Sequence, residues 1–146
     1  MFSKKLVASS SSYVIAELYD FLLASDIGIT DDGKVRCWKR VGSDYKDLYS
    51  GKFDNTPGCI CEVPRVSVDT DRTKTCSYGL HVCSAAYLPS YGSKASGNRI
   101  VEVLVEPSDF ISIPDEYYSN ENGVVTAKAR VCKYEVIRDV TDEFDY

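Results

Sequence analysis

The run RIVEVLV, residues 99–105, limits most strongly what this chain can fold into. Its residues are almost continuously apolar and mostly β-branched, with Glu102 as the interruption. Such residues favour strands, and a strand that lacks polar alternation is typical of one buried on both faces. We therefore expect the chain to build a sheet around this strand and to cover both sides of it.

Alternation and turn residues predict the remaining strands. The stretch CICEV places Cys59, Cys61 and Val63 on one face of a strand. Asp32 and Gly33 favour positive backbone dihedral angles and so predict a tight turn. The polar, aromatic stretch 44–58 predicts a structured loop. The predicted strands are 34–41, 59–63, 79–83, 99–105, a short one in DFISIP that ends before Pro114, and 127–137.

Two segments predict helices. Serines 9–12 offer capping hydroxyls and the apolar residues after them follow helical spacing, which predicts a helix over about 11–25. The stretch 84–92 predicts a helical turn or two that ends at Pro89. The predicted fold class is α+β, with the N-terminal helix followed by a strand-dominated mixed or antiparallel sheet and one or two short helices. We expect a single domain, 1–146, with an acidic tail at about 139–146 whose end, TDEFDY, is frayed.

Composition excludes several classes of function. Acidic residues outnumber basic ones by 22 to 17, and a net charge of −5 repels nucleic-acid phosphates, so we expect no nucleic-acid partner. No apolar run approaches the roughly 18 to 20 residues of a membrane-spanning helix, and the first residues lack a secretory signal pattern. We therefore expect a cytoplasmic protein without stable membrane insertion, whose six cysteines are reduced.

The stretch TCSYGLHVCS, residues 75–84, holds two cysteines around the single histidine of the chain. In a catalytic interpretation, Cys76 or Cys83 is the nucleophile, His81 is the base, and Asp69 or Asp71 orients the imidazole. Strand residues two apart are separated by about 6 to 7 Å at the backbone, so Cys76 is the better-placed thiol.

A metal site and a purely structural role are the alternatives for this stretch. Zinc would draw on Cys59, Cys61, Cys76, His81 and Cys83, but its thiolate sulfurs must lie about 4 Å apart, which an extended Cys-x-Cys does not easily provide. We therefore expect no metal, and no motif predicts a cofactor. In the structural interpretation the cysteines are small hydrophobic residues in a reduced core, and the histidine is half-buried with its hydrogen bonds satisfied.

Several separated motifs match a known family in order. They are DIGITDDGKVRCWKRV, DYKDLYSGKFDNTPG, PRVSVDTDRTKTCSYGLHVCSAAYLPSYG, VEVLVEPSDFISIP and KARVCKYEV. Through them, residues 13–136 resemble the C-terminal region of the rapid-lysis B (rIIB) family of tailed phages. The family pattern Thr-Cys-Ser-x-Gly-Leu-His-x-Cys-Ser is filled from Thr75 to Ser84, whereas Cys59 and Cys61 lie where the family pattern has no cysteine pair.

The resemblance implies a bacteriophage accessory protein of the host cytoplasm, linked to exclusion by resident prophages and to lysis timing. The partner that it implies is a host- or prophage-encoded protein. We expect the loop 44–58 and the histidine stretch to form the binding surface, because aromatic residues with a polar tip are favoured at interface centres and the chain has eleven tyrosines. The predicted binding residues are Tyr45, Tyr49, Asp54, Asn55 and His81.

The alternative function is a small enzyme that modifies a host target. It would use the cysteine and histidine site above, or a site like that of the ADP-ribosyltransferase folds, which the predicted element order resembles in topology only. Those enzymes hold NAD in a cleft, which would assign an aromatic stack to Tyr45, Tyr49 or Tyr87 and a catalytic acid to Glu102 or Glu135. The signature triad of that family is not matched, so both functions stay open.

Overall fold

The part of the chain that the structure describes folds into short antiparallel strands joined by loops and 3-10 segments. The computed structural model describes residues 28–71, 77–90, 92–112, 118–119, 125–126 and 128–145. Every pairing between the described strands is antiparallel. The strands are β1 Gly28–Ile29, β2 Val35–Val41, β3 Ile60–Glu62, β4 Leu80–Cys83, β5 Arg99–Val105, β6 Phe110–Ser112, β7 Tyr118–Ser119, β8 Val125–Thr126, β9 Lys128–Val131 and β10 Lys133–Asp139.

The apolar strand that was predicted from the sequence, β5, is one of the central strands of the main sheet. The main sheet has the order β3-β10-β5-β2-β4-β9-β6, with β1 beside β2, while β7 and β8 pair separately. β5 pairs with β2 along its whole length, from Val105 opposite Val35 to Arg99 opposite Val41. Its other edge pairs with β10. Apolar residues fill both faces of β5 because other side chains of the curled sheet cover it on both sides.

The sheet curls because β9 and β10 are parts of one bent strand. Only Cys132 separates them, yet they lie four places apart in the strand order. Segments joined by one residue have ends at most about 7 to 8 Å apart, so the strands between them must turn back on themselves. The bend is fixed by the backbone: the Cys132 N–H donates to the Asp109 carbonyl at 3.0 Å, and its carbonyl accepts from the Val63 N–H at 2.9 Å.

The curl creates one large and one small apolar cluster. The large cluster joins side chains from seven strands of the main sheet. The small cluster lies on the opposite face of the sheet around Trp38, Cys83 and Ile100. Ala85 and Leu88, from the 3-10 helix Ala85–Ser90, and Val140, which follows β10, complete it.

The predicted α+β fold class is wrong, because the described residues form a mostly antiparallel sheet without an α-helix. The predicted helix at 11–25 lies outside the described residues. The stretch after β4 is a 3-10 helix, Ala85–Ser90, with Pro89 inside it, since proline lacks the N–H that an α-helix would need there. The other described helical segments are single 3-10 turns at Arg65–Ser67, Lys94–Ser96, Pro107–Asp109 and Thr141–Glu143.

Two further predictions differ from the structure in detail. The strand expected over 127–137 is divided at Cys132 and serves two places in the sheet. The acidic tail begins inside β10, which continues to Asp139, and both Val140 and Thr141 are buried. The Thr141 hydroxyl accepts the Ile100 N–H at 2.9 Å, which ties the tail to the central strand.

Val103→Ala tests the central position of β5. Val103 is fully buried between Cys37 and Val136, so losing two methyl groups should lower the free energy of unfolding by about 1 to 3 kcal/mol in a urea titration. Val66→Ala is the matched control, because Val66 is 96% exposed and its change should stay within about 0.5 kcal/mol. Equal losses in the two variants would contradict this core.

Candidate functional site

A cavity of about 380 Å³ lies where β2 and β4 separate. The two strands share a single register pair, Trp38 opposite Cys83. Neighbouring residues on a strand point to opposite faces, yet Lys39, Arg40 and all of β4 line this cavity. It therefore passes through the seam between the strands, and we call it the seam cavity. Its volume is within the range of small-molecule sites.

Lys39 spans the seam from the core side. It is 8% exposed and shares its face of β2 with Cys37 and Val41. Its ammonium donates to the His81 carbonyl at 2.7 Å and lies 5.8 Å from the centre of the Tyr134 ring. The Lys39 side chain thus supplies a hydrogen bond to the β4 backbone at a place where the β2 backbone does not pair with β4. Burial lowers the pKa of this lysine.

One carboxylate organises the loop that borders the seam cavity. Asp47 accepts the backbone N–H groups of Ser50 at 2.6 Å and of Lys52 and Phe53 at 2.9 Å each. Burial would raise the pKa of Asp47, but these hydrogen bonds outweigh it and hold the pKa below its usual value. The fixed loop presents Tyr49, which is 79% exposed and lines the cavity.

Three predicted binding residues hold this loop in place and are not among the residues that line the cavity. The Tyr45 hydroxyl donates to Asp139 at 2.7 Å, and its backbone has a positive φ of 66°. Asn55 is fully buried and accepts a hydrogen bond from the Tyr134 hydroxyl. Asp54 accepts the backbone N–H two residues further on at 3.0 Å, which stabilises the next turn.

His81 and Cys83 are the predicted catalytic residues that the structure brings to the seam cavity. The Cys83 thiol is buried and donates to the Trp38 carbonyl at 3.5 Å. His81 is half-buried, and its Nε2 atom is buried without a hydrogen-bond partner among the described residues. Burial, with the charges of Lys39, Arg130 and Lys128, lowers the pKa of His81 to about 3. The imidazole is therefore neutral at pH 7.

The remaining members of the predicted catalytic group lie elsewhere or outside the described residues. Asp69 accepts the Asp71 N–H at 2.8 Å and the Ser77 hydroxyl, in the loop before β4. Cys76 is outside the described residues, so its partnership with His81 stays a prediction.

Two of the described cysteines, Cys61 and Cys132, lie in environments that disfavour a thiolate. Burial raises the pKa of Cys61, and burial together with Asp109 raises that of Cys132 to about 11, whereas a nucleophilic thiolate needs a lowered value. None of the five described cysteines forms a disulfide. Within the described ranges, no three His, Cys, Asp or Glu side chains are placed to hold a metal ion.

Of the residues that an NAD-binding enzyme would use, the structure brings only some aromatic ones to the seam cavity. Tyr49 and Tyr87 line the seam cavity, but Glu102 and Glu135 are not among its lining residues. The Glu102 carboxylate pairs with Arg138 at 3.1 Å. Catalysis therefore stays a prediction. Among the residues that the structure describes, we find no helix with the length and apolarity that crossing a bilayer requires.

Several residues of this site were not predicted individually from the sequence, among them Lys39, Asp47, Tyr78 and Lys128. Lys39 carried a signal, because alternation places it on the core face of a strand that was predicted correctly. Lys128 carried none, since it reaches the cavity from β9, a neighbour of β4 that no local pattern identifies.

Comparison with known proteins gives one family. The family model described as Bacteriophage T4 protein rIIB matches residues 1–143. The chain is 46% identical over 143 residues to Protein rIIB of Enterobacteria phage T4, and the aligned region covers 98% of this chain and 43% of that relative. The chain thus spans less than half the length of the curated relative that it matches. No solved structure matches the chain.

The lowered pKa of His81 predicts a loss of stability in mild acid. The unfolded chain takes up a proton near pH 6.5 and the folded chain only near pH 3, so the stability contributed by the neutral imidazole is complete above pH 6.5 and falls towards pH 3. Between pH 6.5 and 5, the wild type should lose about 1 to 2 kcal/mol more than His81→Gln in urea titrations. Parallel curves would show that His81 titrates normally in the folded protein.

Proposed function

Because the chain belongs to the family of the bacteriophage T4 protein rIIB, we propose that it is a phage accessory protein that binds a host- or prophage-encoded protein in the host cytoplasm. Through this binding it counters exclusion or adjusts lysis timing. Family membership confirms the resemblance given by the motifs, and the phage origin follows from it. The link to exclusion and lysis is what the resemblance implies. The binding of a partner protein is what we add to it.

The observation that carries this proposal is an apolar rim around the mouth of the seam cavity. Leu48, Tyr49 and Tyr78 all line the cavity and all remain well exposed. Exposed large apolar side chains that cluster around a depression mark interaction sites, and tyrosine is enriched among residues that dominate binding energy. We call these three residues, two of which are tyrosines, the aromatic rim.

The hydrogen bonds of the loop make the rim suitable for recognition. Asp47 fixes the backbone on both sides of Tyr49, so little conformational entropy is lost when a partner contacts its ring. The Gly51 N–H also donates to the Asp47 carbonyl at 2.9 Å, and Gly51 has a positive φ of 68°, which glycine adopts without strain. These hydrogen bonds define the backbone of the loop that presents the apolar residues.

Tyr49→Ala tests the rim in an infected cell. The phage gene is changed at codon 49, and lysis timing and plating on lysogenic and non-lysogenic hosts are compared with the wild type. A central interface tyrosine contributes about 2 kcal/mol, so we expect binding of the partner to weaken at least about tenfold and the phenotype to move towards that of the gene deletion.

Val66→Ala is the matched control, since Val66 is an exposed apolar residue that does not line the seam cavity. Photo-crosslinkers placed at positions 49 and 66 give the molecular result in the same infection. A discrete adduct from position 49 and none from position 66 is expected. If Tyr49→Ala and Val66→Ala both behave as wild type, and position 49 yields no adduct, the proposal is wrong.

A further inference from the structure

We propose that the seam cavity binds a small organic anion with an aromatic or apolar body. This inference goes beyond the proposed function, because the ligand is a small molecule inside the cavity and not a protein, although Tyr49 and Tyr78 contact both. A site of about 380 Å³ with mainly apolar walls and a few placed polar groups has the form of a small-molecule site.

The charge of the lining selects an anion. Among the described lining residues, four are cationic, Lys39, Arg40, Lys52 and Lys128, and one is an acid, Asp47. The whole chain has a net charge of −5, so the charge of the cavity lining is opposite in sign to that of the chain. Asp47 attracts Lys39 but offsets only one of these four positive charges.

Lys39 is the cation that most requires a counter-charge. Its ammonium is buried and donates to a carbonyl, and no ion pair joins it to a carboxylate of the described residues. A buried charge that Asp47 attracts only from beyond ion-pair distance is costly, and an anion beside it would remove part of that cost. Burial lowers the pKa of this lysine, and a bound anion would act in the opposite direction.

The other walls favour an aromatic or apolar body. Tyr49, Tyr78, Tyr87 and Tyr134 contribute rings, and Lys128 lies 5.4 Å from the centre of the Tyr87 ring. The unpartnered Nε2 of His81 adds one polar atom that a ligand can hydrogen-bond. A neutral imidazole donates or accepts at this atom according to its tautomer, which suits a polar substituent on the ligand.

The binding test uses two dyes that differ in one charged group. The probe is 8-anilinonaphthalene-1-sulfonate, and N-phenyl-1-naphthylamine is the same body without the sulfonate. Fluorescence titration of the folded protein should give a Kd for the sulfonate that is lower by about tenfold or more, because only this probe satisfies the buried ammonium. Equal Kd values for the two dyes, or no binding of the sulfonate, would overturn the proposal.

Two variants locate the bound sulfonate. Lys39→Met keeps an apolar chain of similar length and should abolish most of the preference for the sulfonate. Lys52→Glu reverses an exposed cation of the cavity border, does not disturb the core, and should weaken the sulfonate several-fold, so it keeps the test valid if Lys39→Met fails to fold. Lys133→Glu is the charge-matched control on an exposed residue outside the cavity and should leave the Kd unchanged.

Competition identifies the anion. Displacement of the sulfonate by adenosine monophosphate but not by benzoate indicates a phosphate ligand, and the reverse indicates a carboxylate ligand; either result supports the proposal. Displacement by polyglutamate alone would overturn it in favour of an acidic segment of a protein partner. Equal weakening by Lys52→Glu and Lys133→Glu would also overturn it, because it would show general attraction by the surface charge.

Discussion

The bend at Cys132 is the constraint on which the rest of the structure depends. A single residue connects β9 with β10, while β5, β2 and β4 lie between them in the sheet, so the strands must curl until their ends meet. The curl gathers side chains from seven strands into one core and leaves β5 in its middle. It also puts β2 beside β4, whose ladder has only one register pair. The weakest pairing of the sheet is therefore the place where the cavity forms.

The seam remains stable because side chains supply what the missing ladder does not. Lys39 donates to β4 in place of backbone N–H groups, and Asp47 gathers the N–H groups of the adjoining loop. Both devices place a charge in a poorly hydrated position, which costs stability unless its hydrogen bonds are made. The same two charges define the chemistry of the site. The buried Lys39 ammonium favours a bound anion, and the Asp47 carboxylate supports the loop that carries Tyr49 of the aromatic rim.

Local patterns predicted the strands well, because the order of apolar and polar residues within one segment shows which of its side chains are buried. Val35–Val41, Ile60–Glu62, Leu80–Cys83 and Arg99–Val105 all fall within the predicted ranges. What failed depends on contacts between segments. No glycine or proline marks Cys132, so the division of the last long strand was invisible, and with it the curl and the seam. Of the predicted binding residues, Tyr49 and His81 reach the cavity. Tyr45 and Asn55 instead make a partly buried and a buried hydrogen bond, which their polarity alone did not reveal.

The aromatic rim and the seam cavity share Tyr49, so the two proposed binding events cannot be independent. A ligand near Lys39 would lie under the loop that Asp47 fixes, and a protein partner would contact the outer side of the same loop. If the ligand steadies the ring of Tyr49, the partner loses less entropy on binding and its affinity rises. Linkage then requires the partner to raise the affinity for the ligand by the same factor. An anion in this seam would therefore regulate recognition at the rim.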